Sequence, residues 1–323
     1  MSERDIAIAA FLDQSRWQDW TRTPLAGDAS ARRYLRLSNG QQSVILMDAP
    51  AQNGESTTPF AQIATFLTEH GFAAPAVLQH DPENGLLLLS DLGRTDYVQW
   101  LNHHPDAESD LYNAAADILL KLETVDPPQN LNRMTPDIGA EMVDIIGTYY
   151  SKSQTADLSR AVRTALAEFA PEANVLALRD YHAENLIWRD KETGNDCVGL
   201  LDFQDAFIAP CGYDLASLLR DARRDVSPTV VQETITYFAE RTSAETDFHT
   251  AVACLGIQRN LRILGVFARL ATDMGKQRYL QFMPRVWGHI IEDLNAPALA
   301  TLRQVVLDTI PAPTPEYLAG LTE

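Results

Sequence analysis

The texture of the chain changes once, at Leu92-Gly93, and this constrains the fold more than any other feature. Before that point, period-two runs alternate with short helical ones. Residues 31–37 (ARRYLRL) place Arg33, Leu35 and Leu37 on one side of a strand and Arg32, Tyr34 and Arg36 on the other. Ser38-Asn39-Gly40 then turns the chain into a second strand over 43–47, in the manner of a hairpin. Apolar residues at Phe60, Ile63, Ala64 and Leu67 have helical spacing, with Gly71 as cap, and residues 77–79 and 86–90 read as two more strands. A short helical face near Ile6 and Ala9 opens the chain. Beyond Gly93 helical periodicity dominates, near 108–124, 138–151, 156–170, 212–224, 228–242, 247–272 and 297–309. Only 175–202 interrupts it, with the apolar runs LIW and VGLLDF reading as a small hairpin, and the proline-rich tail 310–320 reads as a surface loop. The pattern implies an α+β fold of two lobes. Residues 1–92 form a small, mostly antiparallel β lobe with helices, 93–323 a larger, mainly helical lobe, and the hinge lies near 89–93.

Composition narrows the function. A length of 323 residues suits two domains, and 46% hydrophobic with 22% charged residues is ordinary for a globular chain. The 44 Asp plus Glu against 26 Lys plus Arg give a formal charge of -18, which repels a phosphate backbone and an anionic bilayer, so neither nucleic acid nor membrane is an expected partner. The first twenty residues lack the apolar stretch of a signal peptide, and the strongest apolar run, 86–89, is far shorter than a membrane span. Three cysteines without a Cys-x-x-Cys pair give no disulfide framework and no zinc site. The expectation is a cytoplasmic protein.

The chemistry concentrates in RDYHAENLIW (179–188) and GLLDFQD (199–205). Asp180, Asn185 and Asp202 flank short apolar segments, and two carboxylates with an amide oxygen make a hard donor set that suits Mg²⁺ and not zinc. Asp180 lies five residues before Asn185, so one turn can present both, and Asp202 can return to them across the hairpin. Taken singly, Asp180 reads equally as a helix cap and Asp202 as a strand-end turn residue.

Together these residues resemble a known arrangement. Asp-x4-Asn followed by two apolar residues and Asp-Phe is similar to the catalytic loop and metal aspartate of the protein-kinase-like fold. The continuation DFQDAFIAPCGYDLASLL resembles the aminoglycoside phosphotransferase branch, with Asp214-Leu215-Ala216 as its helix start. The resemblance covers essentially the whole chain. It implies ATP and Mg²⁺, with Asp180 as catalytic base and Asn185 and Asp202 on the metal; Asp214 itself reads as a helix cap that holds the loop rather than as a reactant. Gly27, Asp28, Ala29 and Ser30 would form a phosphate loop, and the strand leading through Leu89 to Asp91 would bind adenine through its backbone. No Walker lysine motif is present, which excludes a P-loop enzyme.

Two departures stand out. Met47 occupies the strand position where kinases carry a lysine, and helix 59–70 offers only Glu69, at its far end. Arg33 is the expected replacement cation, with a surface arginine on an edge strand as the competing reading. Leu178 stands where the family has histidine. The GDAS…RY loop and the lysine-free VILMDAP strand resemble a subgroup of bacterial kinases that phosphorylate the cell-wall amino sugars N-acetylmuramate and N-acetylglucosamine at the 1-hydroxyl. That resemblance implies a small-molecule acceptor, a sugar, contacted by Arg259, Asn260 and Arg262, with Asp205 as a further candidate; the competing readings put the helix arginines on a wet face and Asp205 in a turn. Rival acceptors are an aminoglycoside, choline or homoserine; cations would suit residues 93–323, with 33 Asp plus Glu against 20 Lys plus Arg. A non-catalytic nucleotide-binding protein is the rival from another class, but it has no need of the base Asp180.

Overall fold

The computed structural model describes residues 3–25, 32–50, 56–242 and 247–321, so Gly27, Asp28, Ala29 and Ser30 lie outside the described residues. The chain divides into two compact units. One comprises Met1–Tyr97 with Asn185–Asp205, the other Val98–Glu184 with Ala206–Glu323.

The first unit is built on a five-stranded antiparallel sheet, ordered β1-β2-β3-β5-β4. Its strands are β1 (Thr21–Pro24), β2 (Arg33–Ser38), β3 (Ser43–Asp48), β4 (Val77–Asp81) and β5 (Leu86–Ser90). The β2–β3 hairpin turns at Gly40, whose φ of 90° suits glycine, while Asn39 Oδ1 accepts from Gln41 N (3.0 Å) and Gln42 N (2.8 Å). Alternation then sorts the side chains. Leu37, Val44, Leu46, Leu86 and Leu88 meet Ile8, Phe11 and Leu12 of helix α1 (Glu3–Leu12), with Leu35, Trp17 and Trp20 at the margin. Arg4 of α1 is tied to the buried Asp48, its Nε donating to Oδ1 at 2.5 Å. Helix α2 (Thr58–Glu69) buries Phe60, Ile63, Ala64 and Leu67, and Gly71 (φ 71°) follows its end. The hairpin β7 (Leu186–Trp188) and β8 (Val198–Leu200) joins this unit: Leu200 N donates to Ala73 O (2.8 Å), and Trp188 N to Thr95 O (2.9 Å).

The second unit is helical around α9 (Phe248–Thr272), which packs against α6 (Ala156–Phe169), α7 (Tyr213–Leu219), α8 (Pro228–Ala239) and α10 (Met283–Asp293). By length and composition α9 could span a bilayer, but most of it is buried inside the protein. A two-stranded ribbon of β6 (Ala173–Ala177) and β9 (Phe207–Pro210), not anticipated from sequence, leads into α7.

Two sequence expectations are corrected here. Residues 138–151 do not form one helix: α5 (Pro136–Glu141) gives way to i→i−3 turns and a π-helical turn at Gly147–Ser151. The cause is close approach of α9, because a Cβ at Gly265 would lie 2.7 Å from Ile146 N. The tail is a loop only over 310–314. Pro315 at N1 starts helix α12 (Pro315–Leu321), and Thr314 Oγ1 accepts from Tyr317 N at 3.2 Å. Tyr317 docks it, with the ring 5.1 Å from that of Tyr150 and the hydroxyl donating to Tyr150 O at 2.6 Å.

Candidate active site

In the second unit the chain leaves β6 at Ala177 and runs through Leu178 to Glu184 under close control. The Asp214 carboxylate, at the start of α7, accepts from Leu178 N (2.5 Å) and Arg179 N (3.0 Å). Arg179 has φ 75°, a left-handed conformation that costs a non-glycine residue roughly 1–2 kcal/mol and so needs external support. Asp214 supplies that support, and Ser217 Oγ donates to Arg179 O (3.4 Å). Downstream, the buried Tyr181 donates its hydroxyl proton to Ala115 O (2.9 Å), and Ala183 N donates to Asp221 Oδ2 (3.3 Å). Half-buried Asp180 is therefore held between anchored neighbours. Such a loop presents a carboxylate with little freedom to reorient, as a positioned base requires.

Burial dominates the electrostatics of this region. It pushes Asp214 up to about 7, against the two amide hydrogen bonds and the Arg259 charge, while Asp180 adds to the rise. It pushes His182 well below its usual value, and the charges of Arg223 and Arg259 act in the same direction. His182 is thus neutral at neutral pH. It contacts Arg223 (Nε2 to Nη1, 3.2 Å), which is also paired with Glu184 at 2.9 Å.

The first unit brings Asn185 and Asp202 together. Leu201 N donates to Asn185 O (3.0 Å), which extends the β7–β8 ladder by one step, so that Asn185 lies opposite Leu201 and Asp202 is the next residue of that strand. Asp202 is exposed, has φ 59° and accepts from Gln204 Nε2 (2.9 Å). Aspartate tolerates this conformation better than most residues. The following Phe203 is buried and stacks on Phe60 of α2, with centroids 4.8 Å apart. A carboxylate and an amide oxygen fit Mg²⁺, which keeps several waters and takes substrate phosphate oxygens rather than a full protein cage. No group of three His, Cys, Asp or Glu that could hold a metal ion occurs among the described residues.

Other expected residues are placed as follows. Arg33 registers with Asp48 and donates to it from Nη2 (2.5 Å) and Nε (3.1 Å), on the face covered by α1 and opposite that of Met47. Its side chain is 63% exposed. The basic residue on the Met47 face of β2 is Arg36, which grips Asp91 (Nε to Oδ2, 2.6 Å) and donates to Gly93 O (2.8 Å). Burial works to raise Asp91, but hydrogen bonds from Arg36, Ser43 and the Gly93 amide hold it below the usual carboxylate range. Leu89 lies within the ladder, registered with Ile45 and Val77. Asp205 is exposed at the end of the first unit.

Arg259 and Asn260 are not on a wet face of α9. They are 5% and 0% exposed, and Arg262 is half-buried. Arg179 and Tyr213, which sequence reasoning passed over, belong to the same neighbourhood: Arg179 lies 5.8 Å from the Phe207 ring, which meets the Tyr213 ring edge-on at 5.0 Å. Their only signal in the sequence was adjacency to Asp180 and Asp214.

Residues 21–249 match the model of the phosphotransferase enzyme family. An N-acetylmuramate/N-acetylglucosamine kinase of Caulobacter vibrioides is 36% identical, over 94% of this chain and 95% of that one. One of Pseudomonas aeruginosa is 32% identical, over 88% and 87%. Among solved structures, a choline kinase of Streptococcus pneumoniae superposes with a TM-score of 0.64 at 13% identity, covering 93% of this chain and 100% of that one. A spectinomycin phosphotransferase in complex with ADP and spectinomycin gives 0.61 at 13%, covering 86% and 93%. These likenesses show a protein-kinase-like fold. A family match of this extent, carried on that fold, makes the chain a member of the phosphotransferase enzyme family, a kinase that moves a phosphoryl group from ATP to a small acceptor.

Proposed function

We propose that this kinase phosphorylates the anomeric hydroxyl of an N-acetyl amino sugar of the N-acetylmuramate and N-acetylglucosamine type. The observation that carries the reading is the 36% identity to a kinase of that name, across nearly the full length of both chains. Asp180 orients the acceptor hydroxyl and takes its proton on a carboxylate oxygen. Its fixed backbone, held through Leu178, Arg179, Tyr181 and Ala183, limits the reorganisation this step requires. Asn185 and Asp202 would hold Mg²⁺, which when bound neutralises charge on the transferring phosphates. Gly27, Asp28, Ala29 and Ser30 would cradle those phosphates through their amides, and the segment from Leu89 to Asp91 would receive adenine. The Asp91 side chain is already engaged by Arg36, so its share of that contact falls to the backbone. Both arginines of β2 are paired, Arg33 with Asp48 and Arg36, on the face of Met47, with Asp91. Three unpaired cysteines and the use of ATP agree with a cytoplasmic reaction.

The test is ADP release from ATP across N-acetylmuramate, N-acetylglucosamine, an aminoglycoside and choline, with phosphorus NMR to locate the phosphate. Turnover of either amino sugar with phosphate at the 1-position is expected. Turnover of choline or the aminoglycoside with neither sugar accepted overturns the reading.

A further inference from the structure

The protein carries a formal charge of -18, yet three arginines gather near Asp180 and Asp214. Arg259 and Arg262 stand three residues apart on α9 and share a helix face, and α7, which bears Tyr213 and Asp214, packs on that helix. Arg179 reaches the same place from the loop, over Phe207, whose ring meets that of Tyr213 edge-on. The charges of all three act on the Tyr213 hydroxyl, which is itself buried without a hydrogen-bond partner. Arg259 Nη1 is buried and likewise unpartnered. Among the described residues, none of the three guanidinium groups forms an ion pair. Burial lowers Arg262, and the charges of Arg179 and Arg259 lower it further, against the opposing effects of Tyr213 and Asp180.

Such an arrangement is unfavourable when empty. Like charges repel in a partly desolvated site, and a buried guanidinium without an acceptor forfeits hydration that nothing replaces. An anionic ligand removes both penalties, and a guanidinium fork fits a carboxylate or a phosphate with two parallel hydrogen bonds. The unit that holds the cluster also holds Asp180, whereas Asn185 and Asp202 belong to the other unit, so the acceptor is the better source of the anion. The two sugars named for the relatives differ in this respect: N-acetylmuramate bears a lactyl ether carboxylate, and N-acetylglucosamine has none.

We infer that Arg259 and Arg262, with Arg179, form a carboxylate-recognition site that makes this enzyme prefer the acidic amino sugar over the neutral one. The inference rests on the amino-sugar reading above and adds the residues that set specificity. It also disfavours a cationic acceptor, whatever the overall charge of the chain.

The test uses the full-length protein and two readouts. Equilibrium binding compares N-acetylmuramate with its methyl ester, which keeps the sugar and the ether but removes the charge. Kinetics compares kcat/KM for N-acetylmuramate and N-acetylglucosamine. The wild type should favour the acid in both, and Arg262→Gln should shrink each ratio by about 10- to 100-fold, the range for loss of a charge-assisted pair. Arg262→Lys should restore part of it, and thermal melts establish that the variants are folded. Binding that does not distinguish the acid from its ester overturns the inference. So does an equal loss of kcat/KM on both sugars in Arg262→Gln, which would assign the arginine to the transferring phosphate. If neither sugar is phosphorylated but the acid still binds better than its ester in an Arg262-dependent way, the amino-sugar kinase reading fails and the carboxylate site stands.

Discussion

Replacing Asp214 by asparagine should change the way stability depends on pH, in a direction opposite to that of an ordinary paired carboxylate. Asp214 is buried, and its folded-state value is raised from 3.8 to about 7. Below pH ~4 the carboxyl is protonated in both folded and unfolded chains, so it contributes no slope there. Between ~4 and ~7 the unfolded chain has lost the proton and the folded chain retains it, so stability falls as pH rises. Above ~7 both states are ionised and the contribution levels off. Each unit of displacement corresponds to about 1.4 kcal/mol, so the full effect is on the order of 4 kcal/mol, with about 3 of it between pH 5 and 8. Asparagine has no proton to lose and removes this slope. It also leaves one of the two loop amides, Leu178 N or Arg179 N, facing an NH₂ donor, at a pH-independent cost of roughly 1–3 kcal/mol. Over the range from pH 5 to 8 the wild-type advantage over Asp214→Asn should therefore be greatest at pH 5 and shrink by about 3 kcal/mol by pH 8. Burial also raises Asp293, to about 6, but that group is present in both proteins and cancels in the difference. Urea unfolding of both proteins at pH 5, 6, 7 and 8 measures it. A difference that stays flat, or grows with pH, would refute the argument that Asp214 is a buried carboxyl whose charge burial opposes.

The remaining predictions concern the site more directly. Asp180→Asn should lower turnover by roughly 10²–10⁴-fold with ATP binding retained, the usual contribution of a positioned base; near-normal turnover of the pure variant on its best substrate removes Asp180 from the chemistry. Asp202→Ala should abolish Mg²⁺-dependent nucleotide affinity in calorimetric titration, and an unchanged affinity in the folded variant would reduce Asp202 to the turn that its φ of 59° already describes. Arg33→Met should leave the affinities for ATP and adenosine nearly equal to those of the wild type, because Arg33 is spent on Asp48 and faces α1; a loss specific to ATP would return the phosphate role to it.

Much of the fold was legible because its signals are local. Alternation over residues 33–38 and 43–48, with Asn39-Gly40 between them, specifies one hairpin whatever surrounds it, and the β7–β8 hairpin was legible from LIW and VGLLDF in the same way. Asp180, Asn185 and Asp202 could be singled out as candidates because spacing along one loop and one hairpin is itself local. What local pattern could not supply was the neighbour. The wet or dry side of α9 at Arg259 depends on α7 and the Asp180 loop, dozens of residues away in sequence. The break in the helix expected over 138–151 depends on Gly265 lying against Ile146. Arg33 shares a strand face with Leu35 and Leu37, as alternation requires, but only α1 and Asp48 decide that this face is not that of Met47. Periodicity records which residues of one element point the same way. Which of those directions is buried, and beside which charge, is set by contacts among distant segments, and there the tertiary structure alone decides.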